Sequence, residues 1–156
     1  MIVDSSALIA LVQREPDAQA LADVVGRALG SGEKIAISTA TCLEEAVVAD
    51  GPRDPVRSAR FDEIFQSLNA ELVPLAAAQA AIVRQAYRDY GKDSGHPARL
   101  NPGDCFAHAP AKERGEPLLH VGDGFARTDP ASALRGHLEE PRCPMRRLAW
   151  TGDRLD

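Results

Sequence analysis

Four short apolar runs, separated by stretches of helical period, constrain this chain more than any other feature of its sequence. They are Met1-Ile2-Val3, Ile35-Ala36-Ile37, Leu72-Val73-Pro74-Leu75 and Leu118-Leu119-His120-Val121. Runs this short and this continuous suit strands covered on both faces. Between them, apolar residues recur at helical spacing. After Asp4, Ser5-Ser6 opens the helical stretch of residues 7–12. Ala18, Leu21, Ala22, Val25 and Leu29 form a stripe that Pro16 opens in its first turn and Gly30-Ser31-Gly32 closes. Ser38 or Thr39 can cap a helix over residues 40–49. After the loop Gly51-Pro52-Arg53-Asp54-Pro55, Phe61, Ile64, Phe65 and Leu68 mark another helix, and Ile82, Val83, Ala86, Tyr87 and Tyr90 mark one that ends at Gly91. Strands alternating with helices predict an α/β fold, a three-layer α/β/α arrangement around a short parallel sheet of four or five strands.

Residues 92–100 are polar, with Gly and Pro, and predict an exposed loop. Asn101-Pro102-Gly103-Asp104 then predicts a helix start, with Asn as cap, Pro at the first position and Asp facing the positive helix end. Pro110 falls inside that helix, where it is expected to kink or shorten it. From about residue 131 the periodicity dissolves. The expected organisation is one domain over residues 1–134 and a tail over 135–156, docked, if at all, through Trp150. Cys42 and Cys105 are expected as small core residues, and no C-x-x-C pair suggests a structural metal.

No run of about 18 apolar residues exists to span a membrane, and Met1-Ile2-Val3-Asp4 lacks the basic start of a signal peptide, so a cytoplasmic location is expected. With 18 Lys and Arg against 23 Asp and Glu, the formal charge is −5. That is unlike a protein that simply coats nucleic acid. It leaves room for an enzyme that spends its acids on metal ions. A P-loop and a G-x-S-x-G elbow are both absent, which sets aside ATP hydrolysis and serine-nucleophile chemistry.

Open parallel sheets bind ligands outside the carboxyl ends of their strands. Four acids fall at such places: Asp4 after the first strand, Glu44 in the helix after the second, Asp104 at a late helix start, and Asp123 after the fourth strand. Carboxylates of this kind suit magnesium. Each also has a plainer reading. Asp4 can cap the next helix, and Thr41-Cys42-Leu43-Glu44 spells a capping box. Asp104 can serve the helix dipole, and Asp123 can be a turn residue between Gly122 and Gly124. His108, four residues after Asp104, reads as a neighbouring or solvent-facing side chain rather than a ligand.

Taken in order, Met1-Ile2-Val3-Asp4-Ser5-Ser6-Ala7-Leu8, Ile37-Ser38-Thr39-Ala40-Thr41-Cys42-Leu43-Glu44, Val73-Pro74-Leu75, Ala86-Tyr87-Arg88-Asp89-Tyr90-Gly91-Lys92, Leu100-Asn101-Pro102-Gly103-Asp104-Cys105-Phe106, Gly115-Glu116-Pro117-Leu118-Leu119 and Gly122-Asp123 with Phe125-Ala126-Arg127-Thr128-Asp129 resemble the PIN-domain ribonucleases, specifically the VapC-type toxins of bacterial toxin–antitoxin pairs. The resemblance implies that Asp4, Glu44 and Asp104, with Asp123 as fourth acid, hold magnesium, with manganese able to substitute. It also implies hydrolysis of RNA phosphodiesters, a homodimer and a VapB-like antitoxin. Arg84, Arg88, Lys92 and Arg99 are the basic residues expected to steer RNA phosphates. Where related chains carry Lys near Val121 and an acid at Gly124, this one does not. With Pro110, that departure defines the alternative: a PIN-fold module that binds its partner without turnover.

Overall fold

Two or three residues suffice for each strand because those of the first, second and fourth strands are all buried, and only the edge strand over residues 71–73 leaves Glu71 and Leu72 exposed. The computed structural model describes residues 1–134. In it β1 (Ile2–Val3), β2 (Ala36–Ser38), β3 (Glu71–Val73) and β4 (Leu118–Leu119) form a four-stranded sheet in the order β3-β2-β1-β4. All its pairings are parallel, with Ile2 opposite both Ala36 and Leu118, and Val3 opposite Leu119. Beyond β4, Leu118 also bridges Ser132 in parallel, so the chain adds a fifth position at that edge.

Side chains alternate along each strand, and the two resulting sets define the layers. Val3, Ile37 and Leu119 pack with Leu8, Leu21, Val24 and Ala28 of helices α1 (Ser5–Gln13) and α2 (Ala18–Gly30). Ile2, Ala36, Val73 and Leu118 pack on the other face with Ala86 of α5 (Ala77–Tyr90) and with Cys105, Ala107 and Ala111 of α6 (Pro102–Arg114). A third cluster of Val12, Ala49 and Phe61 fastens α3 (Thr39–Asp50) and α4 (Pro55–Leu68) to α1. The α/β/α arrangement read from the sequence is therefore present. Among the described residues no helix is long and apolar enough to cross a membrane.

Several local expectations shift. Pro16 precedes α2 rather than opening it, because Asp17 occupies the N-cap position. The second strand runs one residue later than its apolar run, since pairing with β3 begins at Ala36. The 92–100 loop is only partly exposed. A bridge between Gly91 and Leu100 closes its base, and Ala98 and Leu100 are buried against α5 and α6. Pro110 neither ends nor shortens α6, which continues to Arg114 with the proline buried inside it. His108 is wholly buried, its ring tilted at 49° to that of Tyr90 with centroids 5.5 Å apart, and its burial lowers the imidazole pKa to about 4. It faces away from solvent, not toward it. Cys105 is buried and Cys42 half-buried. Trp150, Cys143 and the expected tail lie outside the described residues.

Candidate active site

β1 lies at the point where the strand order reverses, with β2 on one side and β4 on the other. The crevice beyond its carboxyl end is where an open α/β sheet receives a ligand. Asp4 is the first residue there. Its backbone is extended and its N–H donates to the Leu119 carbonyl at 3.0 Å, which continues the β1–β4 pairing past the strand ends. The side chain caps α1, as the plainer reading proposed: Oδ2 accepts from the Ser6 N–H at 3.0 Å and from the Ser6 hydroxyl at 2.6 Å. The cap uses one oxygen. Oδ1 is buried with no hydrogen-bond partner among the described residues, in a residue with no exposed surface. Burial raises the Asp4 pKa to about 6; the Ser6 bonds pull it down, and the nearby Asp104 charge pushes it up.

Asp104 reaches the same crevice from the other helix layer. Asn101 caps α6 by accepting the Asp104 N–H at 2.9 Å, and Asp104 Oδ2 accepts the Asn101 N–H at 2.7 Å. This capping box fixes the carboxylate, whose pKa burial raises and the Asn101 bonds lower. Helices α3 and α6 pack together, and the exposed Glu44 lays its carboxylate against Gly103, next to Asp104. The capping-box reading of Glu44 does not hold. Ser38 is the N-cap of α3, accepting the Ala40 N–H, and Thr41 is a buried residue of the first turn.

Asp123 lies after β4, exposed, at the start of a short 3-10 helix (Gly124–Arg127), following Gly122 at φ 82°. This turn is tied to Asp4 through one hydroxyl. Ser6 Oγ donates to Asp4 and accepts the Val121 N–H at 3.0 Å. Arg84, Arg88 and Lys92 follow each other at intervals of four residues along exposed positions of α5 and the loop after it. The Lys92 N–H bonds the Leu100 carbonyl at 3.0 Å, so Lys92 and Arg99 share the loop base that feeds the α6 cap.

Two contributors were not singled out from the sequence. Ser6, the clasp between Asp4 and the β4 turn, was legible only as one of a serine pair. Glu45 sits one residue after Glu44, buried, on the inner face of α3 with Thr41 and Ala49. Burial and the charges of Glu44 and Asp4 push its pKa to about 7, against the opposing pull of Arg57. The i, i+4, i+8 spacing of Thr41, Glu45 and Ala49 was the available signal.

Among the described residues no three His, Cys, Asp or Glu side chains stand together as a ready ligand cage. Magnesium does not need one, because it keeps several waters and takes one or two protein carboxylates. The unpartnered Asp4 Oδ1 and the raised pKa values of Asp4 and Asp104 fit that demand. Two acids costly to ionise together are what a hard cation relieves.

Comparison with known proteins places the chain in a family. A match to the PIN domain covers residues 1–130, and the chain belongs to the PIN-domain family. Its relatives there are VapC ribonucleases. It is 44% identical to Ribonuclease VapC28 of Mycobacterium tuberculosis over 134 residues, 86% of this chain and 98% of that protein. It is 40% identical to Ribonuclease VapC42 of the same species, over 83% of this chain and 95% of the relative. A Ribonuclease VapC of Mycolicibacterium smegmatis is 39% identical, over 85% of this chain and 98% of its own length.

Proposed function

We propose that this protein is a divalent-metal-dependent endoribonuclease, the toxin of a toxin–antitoxin pair, with magnesium as its metal and manganese able to replace it. The observation that carries this reading is the buried, unpartnered Oδ1 of Asp4 at the strand-end crevice, with Asp104 close enough to raise its pKa. Kinship with VapC ribonucleases along 86% of the chain supports RNA as substrate, a VapB-like antitoxin as partner and assembly as a homodimer.

Asp4, Glu44 and Asp104 are the residues that would hold the metal, with Asp123 as the fourth acid. When bound, the metal supplies an acidified water and neutralises charge on the scissile phosphate. The chain's own residues do the rest. Ser6 holds Asp4 in one orientation, and the Asn101 cap holds Asp104. Arg84, Arg88, Lys92 and Arg99 offer cations to RNA phosphates around an otherwise acidic crevice. An unbroken α6 speaks against one of the two grounds for a catalytically impaired module, the altered turn at Val121 and Gly124 being the other. Pro110 sits in an unbroken α6, six residues past Asp104, whose capping box is intact.

The test is incubation of total RNA with purified, antitoxin-free protein, in magnesium and in chelator, beside Asp4→Asn. Cuts that require magnesium and vanish in Asp4→Asn are the expected result. A wild type that cuts nothing in any divalent metal contradicts the reading.

A further inference from the structure

Gly103 is a glycine that its backbone does not require. It occupies the first turn of α6 without the positive φ that favours glycine at Gly95, Gly115 or Gly122. Glycine is also the poorest helix former after proline. Close approach of two backbones is the usual remaining reason for a buried glycine, and it does not apply here. The atoms nearest to a Cβ built on Gly103 all belong to side chains: Glu44 Oε2 at 2.8 Å, Asn101 Oδ1 at 2.9 Å and Glu44 Oε1 at 3.2 Å. The space a methyl group would fill is taken by a carboxylate from the opposite helix.

We infer that Gly103 is a positioning residue, whose bare Cα lets the Glu44 carboxylate lie against the first turn of α6 and so sets its place beside Asp104. Asn101 yields a little of the space but not much, because its Oδ1 is the acceptor for the Asp104 N–H, so most of the adjustment falls to Glu44. A Cβ at 103 therefore displaces chiefly Glu44, which projects from an exposed position of α3. The inference rests on the proposed metal site of Asp4, Glu44 and Asp104. It adds that the site's geometry depends on an atom missing from a residue that ligates nothing.

Manganese titration by calorimetry, on metal-free wild type, Gly103→Ala, Glu44→Asp and the Gly103→Ala/Glu44→Asp double variant, tests it. Gly103→Ala is expected to weaken manganese binding by about tenfold to a hundredfold, the usual cost of disturbing a residue that orients a ligand. Glu44→Asp, one methylene shorter, draws the carboxylate back from the new Cβ. It should recover much of the loss in the double variant, although alone it binds no better than wild type. Thermal melting supplies a second readout with a diagnostic sign. Helix propensity alone makes Gly103→Ala raise the Tm. The clash makes it fall, and by less in a Glu44→Ala background.

Should Gly103→Ala fail to fold, Gly103→Ala/Glu44→Ala is expected to fold. Failure of both assigns the fault to the Asn101 cap and overturns the inference. So does wild-type affinity in Gly103→Ala, or an equal loss with and without the shortened side chain at 44. A wild type that binds no manganese removes the metal-site reading itself and this inference with it, and is readily told apart from a binding wild type with an indifferent Gly103→Ala.

Discussion

Asp4 is a cap and a candidate ligand at once, and its two oxygens divide the work. Oδ2 is satisfied by Ser6, and Oδ1 has no hydrogen-bond partner among the described residues. The cost of that arrangement has a definite pH dependence. With the folded pKa raised from 3.8 to about 6, the folded state holds its proton where the unfolded chain has lost it. Metal-free stability therefore falls as pH rises between about 4 and 6, by up to about 3 kcal/mol at 1.36 kcal/mol per unit, and stays reduced above that window. Asp4→Asn keeps an oxygen for Ser6 and removes the charge. Melted without metal at pH 7.5, it is expected to be more stable than wild type, and below pH 4 the two should converge. Its cleavage of RNA should nevertheless be lost. Ser6→Ala breaks both halves of the clasp to Asp4 and Val121, leaving Asp4 Oδ2 and the Val121 N–H short of a partner. Denaturant titration should show a loss of about 1–3 kcal/mol, with weakened turnover; unchanged stability and rate would deny Ser6 this role.

At the scale of elements, α6 is where local sequence and tertiary demand are most easily separated. Its start was fully legible, because Asn101, Pro102 and Asp104 act on the backbone next to them. Its continuation past Pro110 was not, since an interior proline loses one hydrogen bond and is rescued only by packing. Ala107, Ala109 and Ala111 are buried around it and hold the helix together. Pro110→Ala restores the missing donor to the Phe106 carbonyl, and chemical denaturation is expected to show a gain of about 1–3 kcal/mol with the cleavage rate unchanged. A large change in rate would reopen the view that this proline disturbs Asp104. The same contrast runs through the rest of the chain. Strand positions were readable from apolar runs, but Ile35 fell outside β2 because pairing with Glu71 starts at Ala36. Asp4, Asp104 and the Asn101 cap were readable because they adjoin strand or helix ends. Glu45 was not, because the inward face of α3 is set by how α3 packs on α1 and α4. Nor could the order of residues reveal that the Ser6 hydroxyl reaches Val121 across 115 positions.

For the whole molecule, a chain of net charge −5 must bind a polyanion against its own field. On the proposed account Arg84, Arg88, Lys92 and Arg99 provide the local exception, in a stripe leading from α5 to the loop base beside the α6 cap. Neutralising Arg88 and Lys92 should weaken binding of single-stranded RNA regardless of sequence. It should also lower the salt dependence of affinity by about 0.7 per lost phosphate contact, measured by fluorescence anisotropy over a salt series. An unchanged salt slope would place the RNA elsewhere on the surface. Asp4 and Asp104, in turn, owe their raised pKa values first to burial, and on the proposed account a divalent cation would supply the missing counter-charge. Direct titration of metal-free protein with manganese at pH 7.5, wild type beside Asp4→Asn and Asp104→Asn, tests this most directly. The account predicts saturable binding by the wild type that is severely weakened in both variants. Equal binding by all three proteins, or none by the wild type, would contradict it.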